Sequence, residues 1–260
     1  MISKMNRGKI TANKLIDKYC ITKPNEIPIE DIIINEGCYL IEKPMKGAEG
    51  RIINKGENSL IIVNSNIIDY SKKRFVMSHE FGHFLMHKNL EFLFTDDESS
   101  FWNWFGNNSQ EYEANQFASE LLMPENIFIQ ISKKRKFSIR FLEQLKDQFV
   151  TSFMATAIKF AEVGYDPILL ICTKENKIKW FVKNKEFPFS NISINSNVPQ
   201  ATITSDFYLS SKEYNVPIDI DSTDWNIDSK YLDKSLSFFE QCIYFKNYNY
   251  VLTFIWIDAK

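Results

Sequence analysis

Apolar residues recur at helical spacing from about Thr11 to Cys20 and again from Pro28 to about Asn35. Short β-type runs follow at Cys38 to Ile41 and Leu60 to Val63. This order predicts helices leading into a small sheet, with Gly47, Gly50 and Gly56 marking tight turns. A longer helical pattern runs from Tyr70 to about His87, and the stretch TDDESSFWNWFGNNS after it has so little periodicity that it reads as a loop. A second strong helix spans about Ser109 to Met123. It should stop before Pro124, because proline disfavours helical geometry in the residue preceding it.

Between Ser138 and about Ala161 the spacing predicts two short helices separated near Val150 and Thr151, with Phe141, Leu142, Leu145, Phe149, Phe153, Ala157 and Ile158 turned inward. Beyond Gly164 the pattern changes to β-type runs: ILLIC at 168–172, KIKWFV at 177–182, ATIT at 201–204 and YVLTFIWI at 250–257, with a helix near Leu232 to Tyr244. The expected fold class is therefore α+β in three parts. Residues 1–130 carry the first helices and the small sheet, 131–163 form a helical connector, and 164–260 form a sheet-rich α+β domain.

Composition narrows the function classes. The chain of 260 residues is 44% hydrophobic and 25% charged, which places it among folded rather than disordered chains. A formal net charge of −2 gives no global basic field of the kind that drives nonspecific nucleic-acid binding. Cys20, Cys38, Cys172 and Cys242 are scattered without a CxxC spacing, which argues against a zinc knuckle and a disulfide framework alike. The opening MISKMNRGKITANKL lacks the apolar region of a signal peptide, and no apolar run approaches the ~18 residues of a membrane helix. The expectation is a cytoplasmic protein with no membrane partner.

The segment that carries chemistry is Ser78-His79-Glu80-Phe81-Gly82-His83, an HExxH motif within a helical pattern. Imidazoles at i and i+4 lie ~40° apart around a helix and one turn apart along it, so both reach a single zinc ion. Met77, Phe81, Phe84 and Leu85 gather on the other side, so the helix can bury one face and present ligands on the opposite one. Glu80 is offset by one residue from the first ligand, which sets its carboxylate beside the metal as a general base for water. Only three histidines occur in the chain, which makes an accidental HExxH improbable.

Catalytic zinc usually keeps three protein ligands, so a third is needed. His87 lies at i+8 from His79, about 12 Å along the axis, too far for both to hold one ion. It reads as a helix-end residue or one that touches a ligand from outside. In the helix after it, Ala114, Phe117, Ala118, Leu121 and Leu122 form the apolar face. Glu111 falls ~50° from the centre of that face and Glu113 ~110° away, which directs Glu111 inward and Glu113 outward. An inward carboxylate is costly unless it is paired or metal-bound, which favours Glu111 as the third ligand over a mere helix cap. Asn115, one turn on, is placed to accept a hydrogen bond from a ligand imidazole.

These residues resemble a known family. RFVMSHEFGHFLMH at 74–87 followed by EYEANQFASELLMP at 111–124 looks like the paired signature of the ImmA/IrrE metallopeptidases, in order and in separation. The resemblance covers about Thr11 to Pro124. It implies a zincin-like, gluzincin-type catalytic domain with Zn2+ held by His79, His83 and Glu111 and with Glu80 as base. Other gluzincins often carry aspartate where this chain has Asn115. It further implies a protein substrate such as a helix-turn-helix repressor, and a sensor or substrate-recognition role for the C-terminal domain. The oxyanion donor is not named by the motifs; Tyr112 and the Thr95 to Asn108 loop are the candidates.

Two other readings stand beside this one. The helix pair at 138–161, preceded by Lys133-Lys134-Arg135-Lys136, has the outline of a DNA-binding helix-turn-helix, but its inner positions look packed and a basic run is more often a solvated face. A scaffold that keeps a metal for stability alone is the second, and the presence of Glu80 argues against it, since a structural ion needs no base.

Overall fold

A computed structural model describes residues 7–56, 58–87, 92–94, 109–188, 190–228 and 236–259. The chain divides into two compact units, Met1–Phe128 with Leu142–Thr156, and Ile129–Phe141 with Ala157–Lys260. The fold is mixed α+β with a separate sheet in each unit. Among the described residues no helix is long and apolar enough to cross a membrane.

The first unit opens with helices α1 (Arg7–Lys18) and α2 (Ile29–Asn35) and strands β1 (Cys38–Lys43), β2 (Gly50–Lys55) and β3 (Asn58–Asn64). Helix α3 (Tyr70–Met86), strand β4 (Phe92–Phe94) and helix α4 (Ser109–Leu122) follow. The sheet order is β1-β3-β2-β4, with β1 parallel to β3 and the other pairs antiparallel. Ser59, Ile61 and Val63 alternate into the core along β3, the two-residue period of a strand with one covered face. Strand β2 corrects the sequence reading of this region, because Gly50 begins a strand instead of making a turn. The loop expected at 95–108 lies outside the described residues.

Helix α3 starts where Asp69 accepts hydrogen bonds from the Ser71 and Lys72 amides at 2.8 and 3.4 Å, capping donors that have no partner within the helix. From Val76 to Phe84 every side chain is buried. Arg74, also buried, ties the helix to its surroundings by donating to the carbonyls of Ile27, Phe149 and Val150. Helix α4 ends at Leu122, before Pro124 as expected, and α5 (Glu125–Ser132) follows. Helices α6 (Ile139–Phe149) and α7 (Phe153–Val163) lie where two short helices were predicted, with Val150 at φ 52° between them.

The second unit holds β5 (Ile168–Lys174), β6 (Lys177–Lys183), helix α8 (Ile203–Ser210), β7 (Ile218–Ile220), β8 (Leu236–Phe245) and β9 (Tyr250–Ala259). Their antiparallel order is β6-β5-β9-β8-β7. Leu169, Ile171, Ile178, Trp225 and Ile255 are packed in its core, and Trp180 and Trp256 are buried as well. Two expectations are overturned here. The run ATIT at 201–204 is the start of α8, with Thr202 as its cap accepting from the Ser205 amide. The helix expected near Leu232 to Tyr244 is instead strand β8, paired along its length with β9 from Leu236↔Ala259 to Phe245↔Tyr250; residues 232–235 lie outside the described residues.

Candidate metal centre

The site is built where α4 crosses α3 in the first unit. Phe81 packs edge-on against Phe117 at 5.7 Å between ring centroids, which locks the two helices face to face. Gly82, one of the two spacer residues of HExxH, sits at the closest approach: a side chain there would come within 3.0 Å of the Phe117 ring and 3.3 Å of the Ala114 Cα. The absent side chain at Gly82 lets α4 lie close enough for its first turn to reach the histidines.

That first turn delivers Glu111. Its Oε2 lies 3.1 Å from His79 Nε2 and its Oε1 3.4 Å from His83 Nε2, while the two imidazole Nε2 atoms are 3.1 Å apart. One ligand atom from each of His79, His83 and Glu111 falls within 4.8 Å of the others. Both histidines are buried, and Glu111 is partly exposed. His79 Nδ1 donates to Asn115 Oδ1 at 2.8 Å, as the sequence spacing anticipated, so the neutral form of the ring offers its Nε2 lone pair on the side of Glu111 and His83. Bare lone pairs at these distances repel, so either a proton on Nε2 or a metal ion sits between the rings and the carboxylate. Two imidazoles and one carboxylate form a donor set that fits a divalent metal ion.

The electrostatics follow from this crowding. Burial pushes Glu111 toward its neutral form, but hydrogen bonds and charge from His79 and His83 win and hold it well below the usual carboxylate range. For His79, burial favours the neutral ring, and the carboxylates of Glu111 and Glu80 with Asn115 outweigh it, so its pKa rises. For His83 burial dominates and the pKa falls to about 4. The ring of His83 is therefore neutral at pH 7, the form a metal ligand requires.

Glu80 is fully buried, and neither of its carboxylate oxygens meets a donor in full hydrogen-bond geometry, the Ile52 amide being only a weak backbone partner. Burial is the main reason its pKa rises to about 7, with the charge of His79 pulling the other way. A carboxylate left in this state costs stability, and such costs concentrate where a group has chemistry to do. The space it occupies depends on β2: a side chain on Gly50 would meet Glu80 Oε1 at 3.0 Å and Val76 Cγ1 at 2.5 Å.

One expectation fails. Glu113 does not point outward; it is buried and pairs with His87, Nε2 to Oε2 at 3.0 Å, with Arg7 of α1 at 3.5 Å from the same oxygen. The wheel argument considered only the α3-facing side of α4, and α1 packs on a second side. His87 in turn contacts His83, Nδ1 to Nδ1 at 3.1 Å. The signal available in the sequence was the repeat of the i, i+4 spacing from His83 to His87. The Tyr112 hydroxyl accepts from Gln116 Nε2 at 3.0 Å, one turn along the same helix. The other oxyanion candidates, Thr95 to Asn108, lie outside the described residues.

Comparison with known proteins decides the family. The IrrE N-terminal-like domain, Peptidase_M78, matches residues 35–160, a span that contains His79, Glu80, His83, His87, Glu111, Glu113 and Asn115. The chain belongs to the ImmA/IrrE family. A relative, "Uncharacterized immunity region protein 2" of Bacillus phage phi105, is 31% identical over 125 residues, which are 46% of this chain and 73% of that protein. A "Mycobacterium tuberculosis transcriptional regulator" of known structure superposes with a TM-score of 0.58 over 96% of this chain and 76% of its own, at 12% identity, a likeness of fold. ImmA/IrrE membership makes the domain metallopeptidase-type, and the cluster of His79, His83 and Glu111 is where it can hold a metal.

Proposed function

We propose that this protein is a zinc-dependent endopeptidase of gluzincin type, with His79, His83 and Glu111 as metal ligands and Glu80 as general base. The observation that carries this reading is the pairing of a buried, converging donor set with a buried carboxylate one residue along the helix that meets no donor in full hydrogen-bond geometry. Zinc, when bound, supplies a Lewis acid that acidifies water and polarises the scissile carbonyl. Glu80 accepts a proton from the attacking water on a carboxylate oxygen as the new C–O bond forms. It then delivers that proton to the amide nitrogen as the C–N bond breaks. Burial raises the Glu80 pKa, which makes its carboxylate a readier proton acceptor than an exposed one. Asn115 holds the His79 ring in its orientation throughout.

For the substrate we infer a helix-turn-helix repressor. The support is family membership together with a phage relative whose name places it in an immunity region. The near-neutral chain charge and the buried inner positions of α6 and α7 favour a protein partner over direct DNA binding.

Elemental analysis tests the site. Wild type should carry about one zinc per chain, and His83→Ala and Glu111→Ala should lose it. Glu80→Gln should keep the metal while losing cleavage of repressor candidates by at least ~100-fold, the scale of a positioned general base. Wild type without zinc under any loading condition would overturn the peptidase reading. A Glu80→Gln variant with undiminished cleavage would remove Glu80 from it.

A further inference from the structure

Three contacts in series leave the metal centre on the side away from Asn115. His83 Nδ1 lies 3.1 Å from His87 Nδ1, His87 Nε2 lies 3.0 Å from Glu113 Oε2, and Arg7 Nη1 lies 3.5 Å from that same oxygen. Arg7 also donates through Nη2 to the Met86 carbonyl at 2.8 Å, in the last turn of α3. His83, His87 and Glu113 are buried, so their ring nitrogens and carboxylate satisfy one another.

One arrangement of the protons in this series leaves His83 Nε2 for a metal. A carboxylate oxygen accepts, so the proton at the Glu113 end sits on His87 Nε2. A lone pair at His87 Nδ1 accepts from His83 Nδ1–H across the 3.1 Å contact. In that arrangement His83 Nε2, which faces Glu111 and His79 Nε2, keeps its lone pair for the metal.

We propose that His87 is a positioning residue: with Glu113 it fixes His83 as the Nδ1–H tautomer and keeps Nε2 presented to the metal. This rests on the metal-site reading above. The two ligand histidines are thus oriented by different means. His79 is held directly by a neutral amide, whereas His83 is held by a carboxylate acting through an intervening imidazole. The arrangement explains why Glu113 is buried at the α1–α4 contact, and why Arg7 of α1 reaches over to it.

The test compares two substitutions at one position. His87→Phe keeps a ring of similar shape but offers no acceptor, whereas His87→Gln keeps an acceptor for His83 and a donor for Glu113. Zinc affinity is read by competition with a chelating dye. The His83 tautomer is read in the metal-free protein by long-range proton–nitrogen NMR of the imidazoles. The expected result is an Nδ1–H tautomer for His83 in wild type, a tautomer mixture and roughly 10–100-fold weaker zinc binding in His87→Phe, and recovery of most of both in His87→Gln. Unchanged affinity and tautomer in His87→Phe would overturn the proposal. So would a natively folded His87→Gln as impaired as His87→Phe, since the cause would then be packing. If His87→Phe does not fold, Glu113→Leu decides: it should mix the His83 tautomers, and an unmixed state overturns the relay. The tautomer readout needs no metal, so a wild type that binds no zinc would sink the peptidase reading while still deciding this one.

Discussion

At the scale of single residues, the spacing of functional groups was legible and their surroundings were not. His79, Glu80 and His83 stand out because two imidazoles one turn apart satisfy a geometric demand that few other arrangements meet. Gly82 is silent in the sequence, yet it governs how near α4 comes to α3. Gly82→Ala would push a methyl group against the Phe117 ring and the Ala114 backbone. Overpacking of this kind costs about 1–3 kcal/mol. Urea denaturation of the metal-free protein should show that loss, and zinc binding should weaken in parallel, because Glu111 rides on the displaced helix. Full stability with full zinc affinity would mean that α4 yields without moving its first turn. Glu113 shows the limit of reading one helix alone: its direction is set by α1, and no pattern within residues 109–122 reveals that a helix beginning at Arg7 will pack there.

At the scale of elements, the helices α3, α4, α6 and α7 were predicted near their observed bounds; α6 buries one apolar face, whereas α3 is buried on every side from Val76 to Phe84, so that its ligand face is enclosed as well as its apolar one. The two misread elements of the second unit, α8 and β8, share a physical origin. Glu240 of β8 is fully buried and accepts hydrogen bonds from the Ile203 and Thr204 amides and the Thr204 hydroxyl, the free donors at the start of α8. The Thr204 hydroxyl also meets that of Thr253 on β9. A β-branched run such as ATIT thus becomes helical with a long-range carboxylate at its first turn. LSFFEQCIYF becomes a strand because β9 pairs with all of it. Burial drives the Glu240 pKa up more strongly than its Thr204 hydrogen bonds and the Ile203 amide pull it down. A carboxyl group raised in the folded state contributes stability that is complete below its unfolded pKa and is lost as pH rises through the folded value. Unfolding free energy should therefore fall as pH climbs above the ordinary carboxylate range. In Glu240→Gln that slope should flatten. An unaltered pH profile in the variant would show that other groups set the dependence.

At the scale of the whole molecule, α3 and α4 lie in one compact unit although 22 residues, 87–108, separate them along the chain, and the donor set exists only once they have packed. The unfolded chain has no such arrangement, so metal binding and folding are linked. A ligand that binds the folded state alone stabilises it by RT ln(1 + [L]/Kd), about 2.7 kcal/mol at a hundredfold excess over Kd. For a chain of this size that corresponds to a rise in melting temperature of about 5–10 °C. Calorimetry with and without saturating zinc should show the rise in wild type and in Glu80→Gln, whose ligands are intact. His83→Ala and Glu111→Ala should show none, and a chelator should return wild type to the metal-free value. The comparison separates two kinds of residue within the same buried cluster. A group that holds the metal moves the melting temperature when it is removed, whereas a group that only moves protons leaves the shift in place. If Glu80→Gln lost the zinc-dependent rise as completely as His83→Ala, Glu80 would belong among the groups that hold the ion, and the division of labour proposed for this site would have to be redrawn.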